Sequence, residues 1–87
     1  MGKLVTILNE TGMHARPASN FVKVANSFKS DINIEFNGKA SNAKSIMNLL
    51  SLGLKKGDQI NITANGEDAQ AAVDALVDLV NSKFGEE

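Results

Sequence analysis

Two stretches of this chain alternate between apolar and polar side chains: Ile32, Ile34 and Phe36 enclose Asn33 and Glu35, and Ile60, Ile62 and Ala64 enclose Asn61 and Thr63. Successive side chains of a strand point to opposite faces, so a period of two demands a sheet with one buried and one wet face. Asn37-Gly38 follows the first stretch. That dipeptide is favoured in tight primed turns and predicts a short return strand from Lys39 to Asn42. Residues 3–8 supply the remaining strand.

The segments between the strands carry the helical period. Ala18, Phe21, Val22, Ala25 and Phe28 form one apolar stripe, with Pro17 in the first turn, where it forfeits no intrahelical bond although it biases Arg16 toward extended backbone. His14 then falls at or just before the cap. A longer helix follows Asn65-Gly66, with Ala69, Ala72, Val73, Leu76, Val80 and Phe84 inward and Asp74, Asp78 and Asn81 outward. Glu67 and Asp68 suit its positive end, and Lys83 and Gly85 its stop. Ile46 to Leu52, after Ser45, reads as a shorter helix.

The order βαββαβα predicts an α+β open-faced sandwich, helices on one face of a four-stranded antiparallel sheet. Spacing alone leaves a ferredoxin-like strand order equally open. The 87 residues are expected to form one domain, 1–87, too small for a deep substrate cavity. The absence of cysteine excludes disulfides and thiolate metal sites and fits a reducing compartment, so a cytoplasmic location is expected. No apolar run approaches a membrane span, and no signal-peptide core opens the chain. Met1-Gly2 with Thr6 fits a myristoylation pattern, and Asn9-Glu10-Thr11 and Asn61-Ile62-Thr63 fit glycosylation acceptors. All three are short enough to arise by chance.

The net charge of −1 conceals a segregation. Residues 11–30 and 36–57 contain no carboxylate, yet hold seven of the nine Lys and Arg residues: Arg16, Lys23, Lys29, Lys39, Lys44, Lys55 and Lys56. Brought together, these blocks would make a positive face that speeds encounter with acidic partners. Scattered lysines that merely solvate the surface are the bland alternative.

His14 is the only histidine, set in Thr11-Gly12-Met13-His14-Ala15-Arg16-Pro17-Ala18, a glycine-containing loop entering a helix. A phosphoryl group on that imidazole would meet backbone N–H groups and the positive end of the helix dipole, with the Arg16 guanidinium beside it. Isolated histidines are usually bystanders. It is the helix entry, the arginine and the acid-free surroundings together that point to reversible phosphorylation.

Gly12-Met13-His14-Ala15-Arg16-Pro17-Ala18-Ser19 resembles the phosphorylation loop of the HPr family, histidine-containing phosphocarriers of the bacterial phosphoenolpyruvate:sugar phosphotransferase system. Asn42-Ala43-Lys44-Ser45-Ile46-Met47-Asn48-Leu49-Leu50-Ser51-Leu52-Gly53 is similar to that family's regulatory serine region. The resemblance implies strand order 1-4-2-3 with three helices on one face, phosphorylation of His14 at Nδ1, and charge neutralisation by Arg16. It implies phosphorylated Enzyme I as donor, IIA domains of sugar permeases as acceptors, and no cofactor bound by the chain itself. The chain would be a protein substrate rather than an enzyme. Met13 stands where leucine is frequent in the family, and Asn48 where glycine is common.

Ser45 has an ordinary explanation as a helix N-cap. The resemblance adds phosphorylation by an HPr kinase/phosphorylase and, once phosphorylated, pairing with a catabolite control repressor. Ile46, Met47, Leu49, Leu50 and Leu52 are too many large apolar residues for one side of a short helix. The resemblance suggests that Ile46, Met47 and Leu50 form an exposed docking patch while Leu49 and Leu52 face the core. A helix buried nearly all round is the alternative.

Other classes find little support. A hydrolase built on His14 would need a nucleophile and an orienting acid that no spacing announces. There is no His/Cys cluster for a metal, and nucleic-acid binding finds four Phe, no Tyr or Trp, and an acidic total. The nearer alternatives are a regulatory interaction module of the same fold and a nitrogen-related phosphotransferase carrier.

Overall fold

The computed structural model describes residues 2–85. Met1 of the Met1-Gly2 pattern, and residues 86 and 87 of the expected 1–87 domain, lie outside them. The elements run β1 (Gly2–Thr6), α1 (Ala15–Asn26), β2 (Asp31–Phe36), β3 (Lys39–Asn42), α2 (Ile46–Ser51), β4 (Gln59–Asn65) and α3 (Ala69–Asn81), then a 3-10 turn at Lys83–Gly85. All strand pairs are antiparallel and the order is β1-β4-β2-β3. This is the 1-4-2-3 sandwich, and it removes the ferredoxin-like alternative.

The alternation places Val5, Ile32, Ile34, Ile60, Ile62 and Ala64 on the covered face, where all are buried. Register aligns them: Val5 lies opposite Ile60, and Ile34 opposite Ile62. The helices close this face with Ala18, Phe21 and Ala25 from α1, Leu49 from α2, and Ala72, Val73, Leu76 and Val80 from α3. Burying a side chain as large as Phe21 stabilises the fold by about 1.5–3 kcal/mol. The β2–β3 connection is the expected primed turn, with positive φ at both Asn37 (54°) and Gly38 (80°).

Two local expectations shift. Despite Pro17, Arg16 is helical, because buried Pro17 and Ala18 anchor the first turn to the core. The stop after α3 falls on Lys83 and Phe84, whose φ values are 59° and 57°. Their left-handed backbone turns the Phe84 ring inward, leaving it 3% exposed. The ring's burial offsets the cost of an angle that side chains usually avoid.

Backbone and side-chain bonds orient α2 against α1. The Met13 N–H donates to the Leu54 carbonyl at 3.0 Å, just beyond the end of α2. Asn26, the last residue of α1, donates through Nδ2 to the Lys44 carbonyl at 3.4 Å, just before α2 begins. The two helices therefore run antiparallel, with His14 at the end where α2 finishes and Ser45 at the end where it starts.

Candidate functional site

His14 is the N-cap of α1, with extended backbone (φ −90°, ψ −165°), and its side chain makes no capping bond to the helix. Its carbonyl accepts the Ala18 N–H at 2.9 Å. Pro17 has no N–H, so the open first turn offers the N–H groups of Ala15 and Arg16 outward, without intrahelical partners. His14, Ala15 and Arg16 are all exposed. One end of a 12-residue helix thus presents an imidazole, two backbone donors and a guanidinium to the surface.

The loop before His14 is braced on two sides. The Asn9 side chain, 3% exposed, donates to the Gly12 carbonyl at 2.7 Å and to Thr11 Oγ1 at 3.3 Å. The Gly12 N–H returns to the Asn9 carbonyl at 3.1 Å. On the other side Gly12 meets the chain beyond α2: a Cβ there would stand 2.5 Å from the Leu54 carbonyl oxygen and 2.9 Å from Lys55 Cα. Its φ of +67° excludes a side chain on independent grounds.

The two acid-free blocks meet through these bonds and the α1–α2 contact, although part of their charge is engaged. Lys56 pairs with Glu10 at 2.6 Å, and its hydrogen bond and charge hold the Glu10 carboxyl below its usual pKa. The Lys44 ammonium donates to the Phe28 carbonyl at 2.8 Å. Arg16, Lys23 and Lys55 are exposed. Lys39 sits on the β2–β3 hairpin, at the sheet edge.

Ser45 is the N-cap of α2, its oxygen accepting the Asn48 N–H at 3.4 Å. Met47 is 72% exposed and Leu50 37%, whereas Leu49 is fully buried; a helix buried all round is thereby excluded. Ile46 and Leu52 are half-buried against the core. Leu50 lies in the last turn of α2, toward the His14 end, and Ser45 at the opposite one.

Sequence reasoning missed Asn9, which it met only as part of a chance glycosylation pattern. The one available signal was an asparagine three residues before a glycine, a turn-forming arrangement. It also read Asp68 as a partner for its own helix dipole. Asp68 makes no capping bond; its carboxylate instead accepts the Lys29 N–H at 2.8 Å, the Ser30 N–H at 2.9 Å and the Ser30 hydroxyl.

Among the described residues, two recesses border the uncovered sheet face and His14 lines neither of them; one, about 410 Å³, is edged by Asn33, Asn61 and Thr63. No cluster of His, Cys, Asp and Glu suited to a metal occurs among the described residues. No helix among them is long and apolar enough to cross a membrane.

A family model described as "PTS HPr component phosphorylation site" matches residues 2–82. The chain is similar to HPr-C-His from Thermoanaerobacter tengcongensis, at 48% identity and a TM-score of 0.96, with 100% of this chain and 98% of that chain covered. It is similar to the phosphocarrier protein HPr of Bacillus anthracis, at 46% identity and a TM-score of 0.88, covering 92% and 95%. A third likeness is to Crh, described as the Bacillus subtilis catabolite repression containing protein and solved as a swapped dimer, at 44% identity, a TM-score of 0.77, and 91% of each chain.

Proposed function

This chain belongs to the HPr family of phosphotransferase-system phosphocarriers, and from that premise we propose that His14 accepts a phosphoryl group from phosphorylated Enzyme I and passes it to IIA domains of sugar permeases. The observation that carries the reading is an exposed imidazole at the mouth of α1, two residues before an exposed guanidinium, on a loop held at both sides.

The chemistry follows from that placement. The lone pair of one ring nitrogen forms a P–N bond as the donor's bond to phosphorus breaks, its electron pair leaving with the donor atom. The proton on the other ring nitrogen stays in place. Ala15 and Arg16 N–H groups and the helix dipole receive the phosphoryl oxygens, while the Arg16 guanidinium offsets their charge. Onward transfer reverses these events toward an acceptor, so the chain acts as a protein substrate in the cytoplasm and needs no cofactor of its own. A carrier must also avoid activating water beside the phosphoryl group, and residues 11–30 contain no carboxylate.

Met47 and Leu50, with half-buried Ile46 at their margin, form the apolar docking surface for these partners. Ser45 is the regulatory site, phosphorylated by an HPr kinase/phosphorylase and read by a catabolite control repressor. Its support is an N-cap position that tolerates phosphate and the likeness to a catabolite repression protein.

Incubation with phosphoenolpyruvate and Enzyme I, followed by mass mapping, tests the reading. An acid-labile, base-stable phosphoryl group on His14 is expected, and none on His14→Ala. Equal labelling of the two proteins would refute it, and a parent that never charges would favour a purely regulatory module.

A further inference from the structure

We infer that Asn9 is a positioning residue for phosphoryl transfer at His14, acting through the backbone of Gly12; the inference rests on the carrier reading above. Its side chain donates to the Gly12 carbonyl at 2.7 Å while its main-chain carbonyl accepts the Gly12 N–H at 3.1 Å. One residue therefore holds both polar groups of the glycine. The opposite side is fixed by the Leu54 carbonyl, which accepts the Met13 N–H at 3.0 Å and leaves no space for a Cβ on Gly12. The peptide joining Gly12 to Met13 is gripped between two separate segments, one residue before His14. Where that peptide lies decides where the His14 Cα lies, and hence the approach of its ring to an incoming phosphorus.

Burial separates this role from docking. At 3% exposure, Asn9 has almost no surface to offer a partner protein, whereas Met47 and Leu50 on α2 are exposed. A change at Asn9 should therefore alter the rate within the complex and spare its formation. The residue type also fits: a carboxamide supplies the donor that the Gly12 carbonyl needs and brings no charge near the phosphoryl group. An aspartate of the same size, ionised at neutral pH, would only accept, and would turn its charge on that carbonyl.

The test compares the parent with Asn9→Asp and Asn9→Ala in transfer from phosphorylated Enzyme I, at a temperature where circular dichroism shows each folded. The maximal rate should fall about tenfold in both, the concentration for half-maximal rate should move less than about twofold, and the His14 ring nitrogen resonances should shift. A purely structural role would lower the unfolding temperature and leave the rate and resonances of the folded protein unchanged. Either folded variant charging at the parent's maximal rate overturns the inference. So, independently of any variant, would rapid solvent exchange of the Asn9 side-chain amide protons in the parent. A parent that does not charge on His14 refutes the carrier reading itself, whereas a parent that charges beside full-speed variants refutes only the role of Asn9.

Discussion

The antiparallel α1–α2 pair has two ends, each with a phosphorylatable residue at a helix N-cap, and the two caps are built differently. Ser45 spends its oxygen on the Asn48 N–H of a six-residue helix. His14 spends no side-chain bond on its 12-residue helix, and the loop before it is held by Asn9 and Leu54 instead. A residue proposed to gain and lose a phosphoryl group in every cycle is better kept from capping the helix it begins. On the proposed reading, phosphate at Ser45 would take over the position of the capping hydroxyl, whereas phosphate at His14 would displace no side-chain cap of α1.

The largest effect expected from breaking this arrangement is at Gly12. In Gly12→Ala the methyl group would meet Leu54 oxygen and Lys55 Cα at a φ of +67°, and the loop must leave one side of its brace. Destabilisation on the order of 2 kcal/mol or more is expected in urea unfolding, with a loss of His14 charging larger than the lost stability accounts for. Charging at the parent rate would show that the brace is irrelevant to transfer. The next effect lies between the two ends. Met47→Glu changes a side chain that is 72% exposed, so the melting temperature should hold while affinity for Enzyme I, measured by calorimetry, falls about tenfold or more. Unchanged affinity would move the docking surface off α2.

Ser45 sharpens the contrast through distance. The six residues of α2 rise about 9 Å, comparable with a Debye length of about 8 Å at physiological salt. A charge at Ser45 is therefore largely screened from His14 itself, and must act on the partner lying along α2. Ser45→Asp keeps a good cap and should slow charging by roughly threefold to tenfold, mainly through weaker association and less so at high salt. Ser45→Ala loses only the cap, about 0.5–1 kcal/mol, and should charge normally. If the aspartate variant charged at the parent rate in low salt, the electrostatic account would fail.

Much of this was legible before any coordinates. The alternation of Ile32, Ile34 and Phe36 and the stripe of Ala18, Phe21 and Ala25 are repeated local signals, and each forces a buried face. Strand order was not legible from spacing, since βαββαβ serves two topologies; it came from the resemblance. At the site, His14, Arg16 and Ser45 stood out because their chemistry is written in residue type and position along a helix. Asn9 did not, because its role lies in a bond to a main-chain carbonyl, and any residue has that carbonyl. Asp68 was misleading for the same reason: its backbone partners at Lys29 and Ser30 are 39 and 38 residues away, and helix position alone suggested a nearer one.

The smallest expected effect separates the two ends by pH. The Ser45 end of α1 is tied down by a carboxylate, since Asp68 accepts from Lys29 and Ser30 just beyond the helix. The Ser30 hydroxyl bond first, then the Lys29 N–H, holds the Asp68 carboxyl below its usual value of 3.8. A depressed folded-state pKa contributes stability above the unfolded-state value, and that stability is lost as pH falls through the folded one. The His14 loop is held by Asn9 and Leu54 with amide and carbonyl groups that do not titrate. On acidification below the ordinary carboxyl range, the Lys29 and Ser30 amides should therefore lose hydrogen-exchange protection before the Met13 amide does. Asp68→Asn should remove that difference by weakening the two amides at every pH, because a carboxamide keeps one acceptor oxygen where the carboxylate had two. Simultaneous loss at Lys29, Ser30 and Met13 would mean that the two ends open as one unit, and that the division between a charged clasp and a neutral brace has no energetic meaning.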